Sequence, residues 1–258
     1  MTERSVQLPG ALRARARWVR LGASSVPAML VDPVSDETRP APVPLVIWMH
    51  GRTADKETDP GRYLRWMRAG IATCAIDLPG HGERFEAGLQ AAPAACIIGP
   101  LLAQIDEVTE ALGEEIDFDP GRMGLGGMSL GGMAALARAC RPHAFRCLSV
   151  EATTGSWSHE TRRTSGPEDL DDLDPIKHLD DWREIPLQAI HARFDDWVSI
   201  EGQIAFLDAL RQRYRDPKLI EFVEYGRTGA PHEHIGFGTM AADAKNRQRD
   251  FLGRWLGR

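Results

Sequence analysis

The sequence predicts an α/β fold: a mostly parallel, twisted sheet with helices on both faces, in a single domain over residues 1–258. Three observations predict it. Short continuous apolar runs recur, such as Leu45-Val46-Ile47-Trp48-Met49 and Ile71-Ala72-Thr73-Cys74-Ala75-Ile76, and such runs are typical of strands buried on both faces. Segments of helical periodicity lie between them, so the chain reads strand, helix, strand, helix, the order of βαβ units. The 258 residues are 43% hydrophobic and 26% charged, which supplies a full core without disulfide or metal staples.

Residues 15–21 and 25–31 read as two strands about Gly22. Arg13, Arg15, Arg17 and Arg20 alternate there with Leu12, Ala14, Ala16 and Trp18, as the two faces of an edge strand would. Pro33, Pro40, Pro42 and Pro44 mark an irregular connection to the buried strand 45–49. A helix follows over 60–69, with Tyr63, Leu64, Trp66 and Met67 on its apolar side and Gly70 as its stop. Strand 71–76 ends in Asp77-Leu78-Pro79-Gly80. A long helix at about 93–112, a strand at 122–127, a helix at 130–140 and a strand at 145–152 continue the alternation. It breaks at about 153–185, a polar and acidic stretch that contains Glu168-Asp169-Leu170-Asp171-Asp172-Leu173-Asp174. Too short for a domain, it reads as a small cap whose charge run is solvated. Strand 187–191, helix 200–214, strand 219–225 and a closing helix over 239–256, with Phe251, Leu252 and Trp255 as its apolar side, complete the chain.

Charge and composition exclude several classes of function. A net charge of −6 argues against nucleic acid. No apolar run reaches the roughly 18 residues of a membrane span, and Met1–Ser5 opens no signal-peptide core. Cys74, Cys96, Cys140 and Cys147 form no CxxC pair and no zinc pattern. Free thiols point to a reducing compartment, the cytoplasm. The expected partner is a small molecule, with no cofactor, no metal, no nucleic acid and no membrane.

The chemistry concentrates at predicted strand ends. Gly127-Met128-Ser129-Leu130-Gly131 follows a strand and opens a helix of small residues. A turn this tight strains its central residue and leaves the Ser129 hydroxyl exposed above the sheet; a glycine-rich helix cap is the other reading. A serine hydroxyl needs a base, itself held by a carboxylate. Carboxylates stand after strand 187–191, at Asp195 and Asp196, on the strand edge where α/β sheets bind ligands. Histidines stand after the last strand, at His232 and His234 in a Gly/Pro-rich loop. His50-Gly51-Arg52-Thr53 ends the first buried strand, where a backbone N–H would join that of Leu130 in an oxyanion hole. His81, in Asp77-Leu78-Pro79-Gly80-His81-Gly82-Glu83-Arg84, reads as structural.

Four motifs therefore occur in order: H-G-x-T at His50–Thr53, D-x-P-G-H-G-x-R at Asp77–Arg84, G-x-S-x-G at Gly127–Gly131 and H-x-x-x-D-x-x-V at His191–Val198. From Leu45 to Leu256 the chain resembles the α/β-hydrolase superfamily, in particular small bacterial carboxylesterases and the catalytic domains of dienelactone-hydrolase and prolyl-oligopeptidase relatives. The resemblance implies a serine carboxylesterase acting through an acyl-enzyme. In it Ser129 is the nucleophile, Asp195 the acid by its register with Val198, and His232 the base, with His234 as the alternative. The backbone N–H groups of Arg52 (or Thr53) and Leu130 form the oxyanion hole. Alternative readings are a peptidase or C–C bond hydrolase on the same fold, and a non-catalytic binding protein.

Overall fold

The computed structural model describes residues 8–34, 41–160 and 171–257. Its strands are β1 (Ala16–Leu21), β2 (Val26–Val31), β3 (Val43–Met49), β4 (Ala72–Ile76), β5 (Phe118–Met128), β6 (Cys147–Glu151), β7 (Leu187–Ala192) and β8 (Ile220–Tyr225). They form one sheet in the order β1-β2-β4-β3-β5-β6-β7-β8. β1 and β2 pair antiparallel, and β2 joins β4 antiparallel. All the remaining pairs are parallel. This is the doubly covered, mostly parallel sheet of the α/β-hydrolase fold.

The helices are α1 (Gly10–Arg13), α2 (Pro60–Arg68), α3 (Ala87–Ala91), α4 (Ala94–Glu115), α5 (Leu130–Ala139), α6 (Ile200–Arg213) and α7 (Ala241–Leu256). The continuous apolar runs acquire their meaning here. Every residue of β3 is buried, but alternate residues serve different layers. Leu45, Ile47 and Met49 face a core built with Ile97, Leu101 and Ile105 of α4, Leu136 of α5 and Leu207 of α6. Val46 and Trp48 face a second core with Tyr63 and Trp66 of α2 and Phe251, Leu252 and Leu256 of α7. A polar residue anywhere in β3 would be buried in one core or the other. Among the described residues no helix is long and apolar enough to cross a membrane.

The structure departs from the sequence reading in three places. Leu12 and Arg13 belong to the short helix α1, so the strand begins only at Ala16. Trp18 is 44% exposed and donates its indole N–H to Glu57, at 2.7 Å; an edge strand tolerates this because only its inner face is covered. Third, the acidic run is not solvated throughout. Glu168, Asp169 and Leu170 lie outside the described residues, and Asp171 is exposed and paired with Lys177. Asp174 is buried, and it accepts the Trp157 N–H at 3.0 Å. It pins Trp157, near the start of the excursion, to the acidic run within it, which a charge run cannot reveal.

A buried ion pair ties the second core to the sheet. Arg62 of α2 reaches the carboxylate of Glu151 at the end of β6, at 2.5 and 3.0 Å. Gln248 of α7 bonds both members of the pair. The Arg62 guanidinium lies 4.3 Å from the centre of the Trp48 ring. Arg62 and Glu151 are 3% and 1% exposed, so removing one strands the other without solvent. Arg62→Ala is expected to cost about 3–5 kcal/mol, a melting temperature roughly 6–20 °C lower by calorimetry. A shift under about 2 °C would mean that Gln248 satisfies Glu151, and Lys245 satisfies Asp59, without the arginine.

Candidate active site

The site starts from a steric constraint. β5 turns into α5 across one residue, Ser129, which adopts φ 52° and ψ −117°, a conformation that costs on the order of 1–3 kcal/mol for a residue with a Cβ. Its neighbours hold it there. The Ser129 N–H donates to the Glu151 carbonyl at 2.9 Å, and its carbonyl accepts from Met133 N at 2.9 Å and from Thr153 Oγ1 at 2.8 Å. A Cβ on Gly127 would overlap the backbone of Gly131, and one on Gly131 would overlap the carbonyls of Met49 and His50. Glycine is required on both sides of Met128-Ser129-Leu130 because three backbone segments converge there.

His234 and Asp195 close on this hydroxyl. His234 Nε2 lies 3.0 Å from Ser129 Oγ, and His234 Nδ1 lies 2.7 Å from Asp195 Oδ2. A carboxylate only accepts, so Nδ1 carries the proton and the Nε2 lone pair faces the serine O–H. Asp195 sits on the turn after β7, where its Oδ1 accepts the N–H groups of Trp197 and Val198, each at 2.8 Å. His191 of β7 approaches Oδ2 from behind at 3.4 Å, while its Nε2 also meets the Val198 carbonyl at 3.0 Å. Burial alone would raise the Asp195 carboxyl. The hydrogen bonds from His191, His234 and Val198 overcome it and bring the carboxyl down to about 2. Asp196 takes no part in the chain; its N–H donates to the His232 carbonyl at 3.0 Å.

His232, the expected base, is corrected by this geometry. Its ring stacks on Trp197, with centroids 4.8 Å apart and planes at 26°, and it is His234 that meets Ser129. The expectation assumed an extended loop. Instead His232 and Glu233 both adopt positive φ, 57° and 51°, and the Glu233 carboxylate clamps the loop by accepting from Thr228 N, Thr228 Oγ1 and Gly229 N. The tight turn brings His234 inward and leaves His232 on the rim.

The oxyanion side is built from the loops after β3 and β4. A Cβ placed on Gly51 would sit 3.4 Å from Ser129 Cβ, so the Gly51–Arg52 backbone runs beside the hydroxyl. His50 joins the loops: its Nε2 accepts from Leu78 N at 3.1 Å, and its Nδ1–H meets the Gly51 carbonyl at 2.7 Å. Burial pulls His50 down to about 4, against the opposing pull of the Gly51 carbonyl and Asp77, so the ring is neutral. Asp77 accepts Lys56 N and Glu83 N at 2.9 and 3.0 Å, and Lys56 Nζ bridges Asp77 and Glu83 at 2.9 and 2.7 Å. His81 is buried behind them, with Nδ1 on the Pro79 carbonyl at 2.8 Å. Leu130 opens α5, where a backbone N–H has no partner within the helix.

Several contributors were not legible as such. Thr153, Lys56 and the side chain of Glu151 carry no motif signal, and His191 appears in one only as a letter. Glu160 ends its short turn near Asp195; burial and that charge push its carboxyl up to about 7, against the N–H of Ser199. Trp182 donates its indole N–H to the Tyr214 hydroxyl at 2.7 Å and packs edge-on against Phe206.

Comparison with known proteins follows the same lines. The sequence profile of the prolyl oligopeptidase family matches residues 62–258. The chain belongs to that family. It is 26% identical over 215 residues to the esterase YjfP of Escherichia coli K12, covering 76% of this chain and 85% of that protein. The fold matches TT1662 of Thermus thermophilus with a TM-score of 0.71 at 22% identity, over 95% of this chain and 99% of the other. It also matches a puromycin-hydrolyzing peptidase of Mycobacterium tuberculosis with a TM-score of 0.76 at 18% identity, over 98% of this chain but only 41% of the peptidase. This member of the prolyl oligopeptidase family is thus a serine-hydrolase chain within the α/β-hydrolase superfamily.

The role of His191 is open to direct measurement. Asp195 is depressed from an unfolded value of about 3.9, so its contribution to stability is complete above about pH 4 and is lost as pH falls through about 2. His191→Leu removes one donor to Oδ2, and the Asp195 carboxyl, followed by ¹³C NMR, is expected to titrate at a clearly higher pH. An unchanged titration would show that Trp197, Val198 and His234 alone set it.

Proposed function

We propose that the protein is a serine carboxylic-ester hydrolase. The observation that carries this reading is the continuous hydrogen-bond chain from Ser129 Oγ through His234 to Asp195, at the N-terminus of α5 and on the carboxyl edge of the parallel strands. In the proposed cycle His234 takes the Ser129 proton as Oγ attacks the ester carbonyl. The tetrahedral oxyanion is met by the N–H groups of Leu130 and Arg52 (or Thr53) and by the helix N-terminus. His234 then returns the proton to the leaving alcohol, and the acyl group stays on Oγ. Water, deprotonated by His234, repeats the sequence and releases the acid. Asp195 remains ionised and orients the imidazole.

The 85% coverage of the esterase YjfP favours an ester as substrate. A peptidase is the second reading, favoured by the fold match to the puromycin-hydrolyzing enzyme; that match leaves more than half of the peptidase without a counterpart in this chain. The free thiols of Cys74, Cys96, Cys140 and Cys147 favour a reducing, cytoplasmic setting, with a small-molecule ester as partner and neither nucleic acid nor membrane involved.

Hydrolysis of p-nitrophenyl butyrate is the test. Ser129→Ala and His234→Ala are each expected to lose about six orders of magnitude in kcat, and Asp195→Asn about four. His232→Ala is expected to retain most turnover. A fluorophosphonate should label the wild type and not Ser129→Ala. An inactive His232→Ala beside an active His234→Ala would overturn the assignment. Absence of both labelling and ester turnover would overturn the esterase reading.

A further inference from the structure

Arg52 has been used so far only for its backbone, yet its side chain is anomalous. The buried cations each have an acid: Lys56 has Asp77 and Glu83, Arg62 has Glu151 and Asp59, and Arg138 has Asp106. Arg52, which is half-buried, has none among the described residues. Its protein hydrogen bonds all leave from Nη1, to the carbonyls of Gln90 and Ala92 on the segment between α3 and α4. Among the described residues Nε and Nη2 have no protein partner, and neither is sealed from solvent. They form the side-on edge of the guanidinium, two parallel N–H groups in the spacing that a carboxylate accepts. Arg84 makes the contrast: it spends both Nη atoms on Gln104 and the Asp77 carbonyl, and its Nε is buried.

Burial holds Arg52 below the usual arginine range, with no acid to offset it. A half-buried cation with no counter-ion keeps part of its desolvation cost uncompensated, and two carbonyl tethers do not need a guanidinium. The residue lies one position after Gly51, which abuts Ser129. His81, whose cationic form burial and the Arg52 charge both disfavour, offers Arg52 no counter-charge. One fixed cation with a single open fork suits a planar monoanion rather than a phosphate dianion.

We propose that the Nε–Nη2 edge of Arg52 binds a free carboxylate on the substrate, so that the ester this site takes carries an ionised acid group near the scissile bond, as the monoesters of dicarboxylic acids do. The carbonyls of Gln90 and Ala92 hold the guanidinium so that only its fork is offered. This rests on the esterase reading, and it assigns to that site a substrate class and a residue that selects it.

The test compares kcat/KM for the mono-p-nitrophenyl esters of succinate and glutarate with that for neutral p-nitrophenyl butyrate. A charge-assisted bidentate contact predicts a preference of about 10- to 100-fold for at least one anionic ester, carried mostly by KM and weakened by salt. In Arg52→Gln the ratio should fall to near one, and Arg52→Lys should restore part of it. If loss of the loop tether were the whole effect, both esters would fall together and the ratio would persist; that result overturns the proposal, as does a wild type without preference. Calorimetric binding of monomethyl glutarate and methyl butyrate to Ser129→Ala, with and without Arg52→Gln, needs no turnover. If no ester is hydrolysed but monomethyl glutarate still binds through Arg52, the esterase reading fails and the carboxylate site stands; if neither ligand is distinguished, the carboxylate site fails.

Discussion

The turn at Ser129 leaves room for hydrogen and nothing larger. Gly131 packs onto the carbonyls of Met49 and His50, and Gly127 onto Gly131 itself, so β3, β5 and α5 meet backbone to backbone. That convergence forces positive φ on the serine, brings the loop after β3 alongside its hydroxyl, and lets the Glu151 carbonyl of β6 anchor its N–H. His234 and Asp195 arrive from strands on one side of this point, and Gly51 and Arg52 from a strand on the other. Packing of the three backbones fixes the nucleophile and the loop beside it, and the turns carrying Asp195 and His234 close on that point.

The charges around the turn behave as fasteners. Glu151 supplies its carbonyl to Ser129 and its carboxylate to Arg62 of α2, so the second core is joined to the nucleophile turn through one residue. On the other side Asp77 gathers Lys56, the Glu83 N–H and, at longer range, His50. A Cβ on Gly82 would collide with that carboxylate, which explains a glycine where a motif alone gives only a letter. Both clusters are buried and internally paired. They leave Arg52 as the charge on this edge with donors to spare.

Much of this was legible because it follows from simple periodicity. Strands buried on both faces must be apolar throughout, and β3 and β4 announce themselves that way. Asp195 could be separated from Asp196 only through the resemblance, whose D-x-x-V element places the acid three residues before Val198. The histidine could not be chosen by spacing. His232 and His234 differ only in how the loop bends, and that bend depends on positive φ at His232 and Glu233, residue types that do not advertise it. Asp174 misled for a related reason: a run of like charges hides the one member that a backbone N–H has captured.

The surroundings of Asp195 also limit what moves along the hydrogen-bond chain. Oδ1 receives two backbone N–H groups, and Oδ2 receives two imidazole nitrogens. Three of these donors lie within 2.8 Å, while His191 Nε2 stands at 3.4 Å and shares its proton with the Val198 carbonyl. Together these donors hold the carboxyl down to about 2, so the Nδ1 proton stays on the imidazole: between Ser129 and His234 a single proton shuttles, and the aspartate serves as a fixed electrostatic wall.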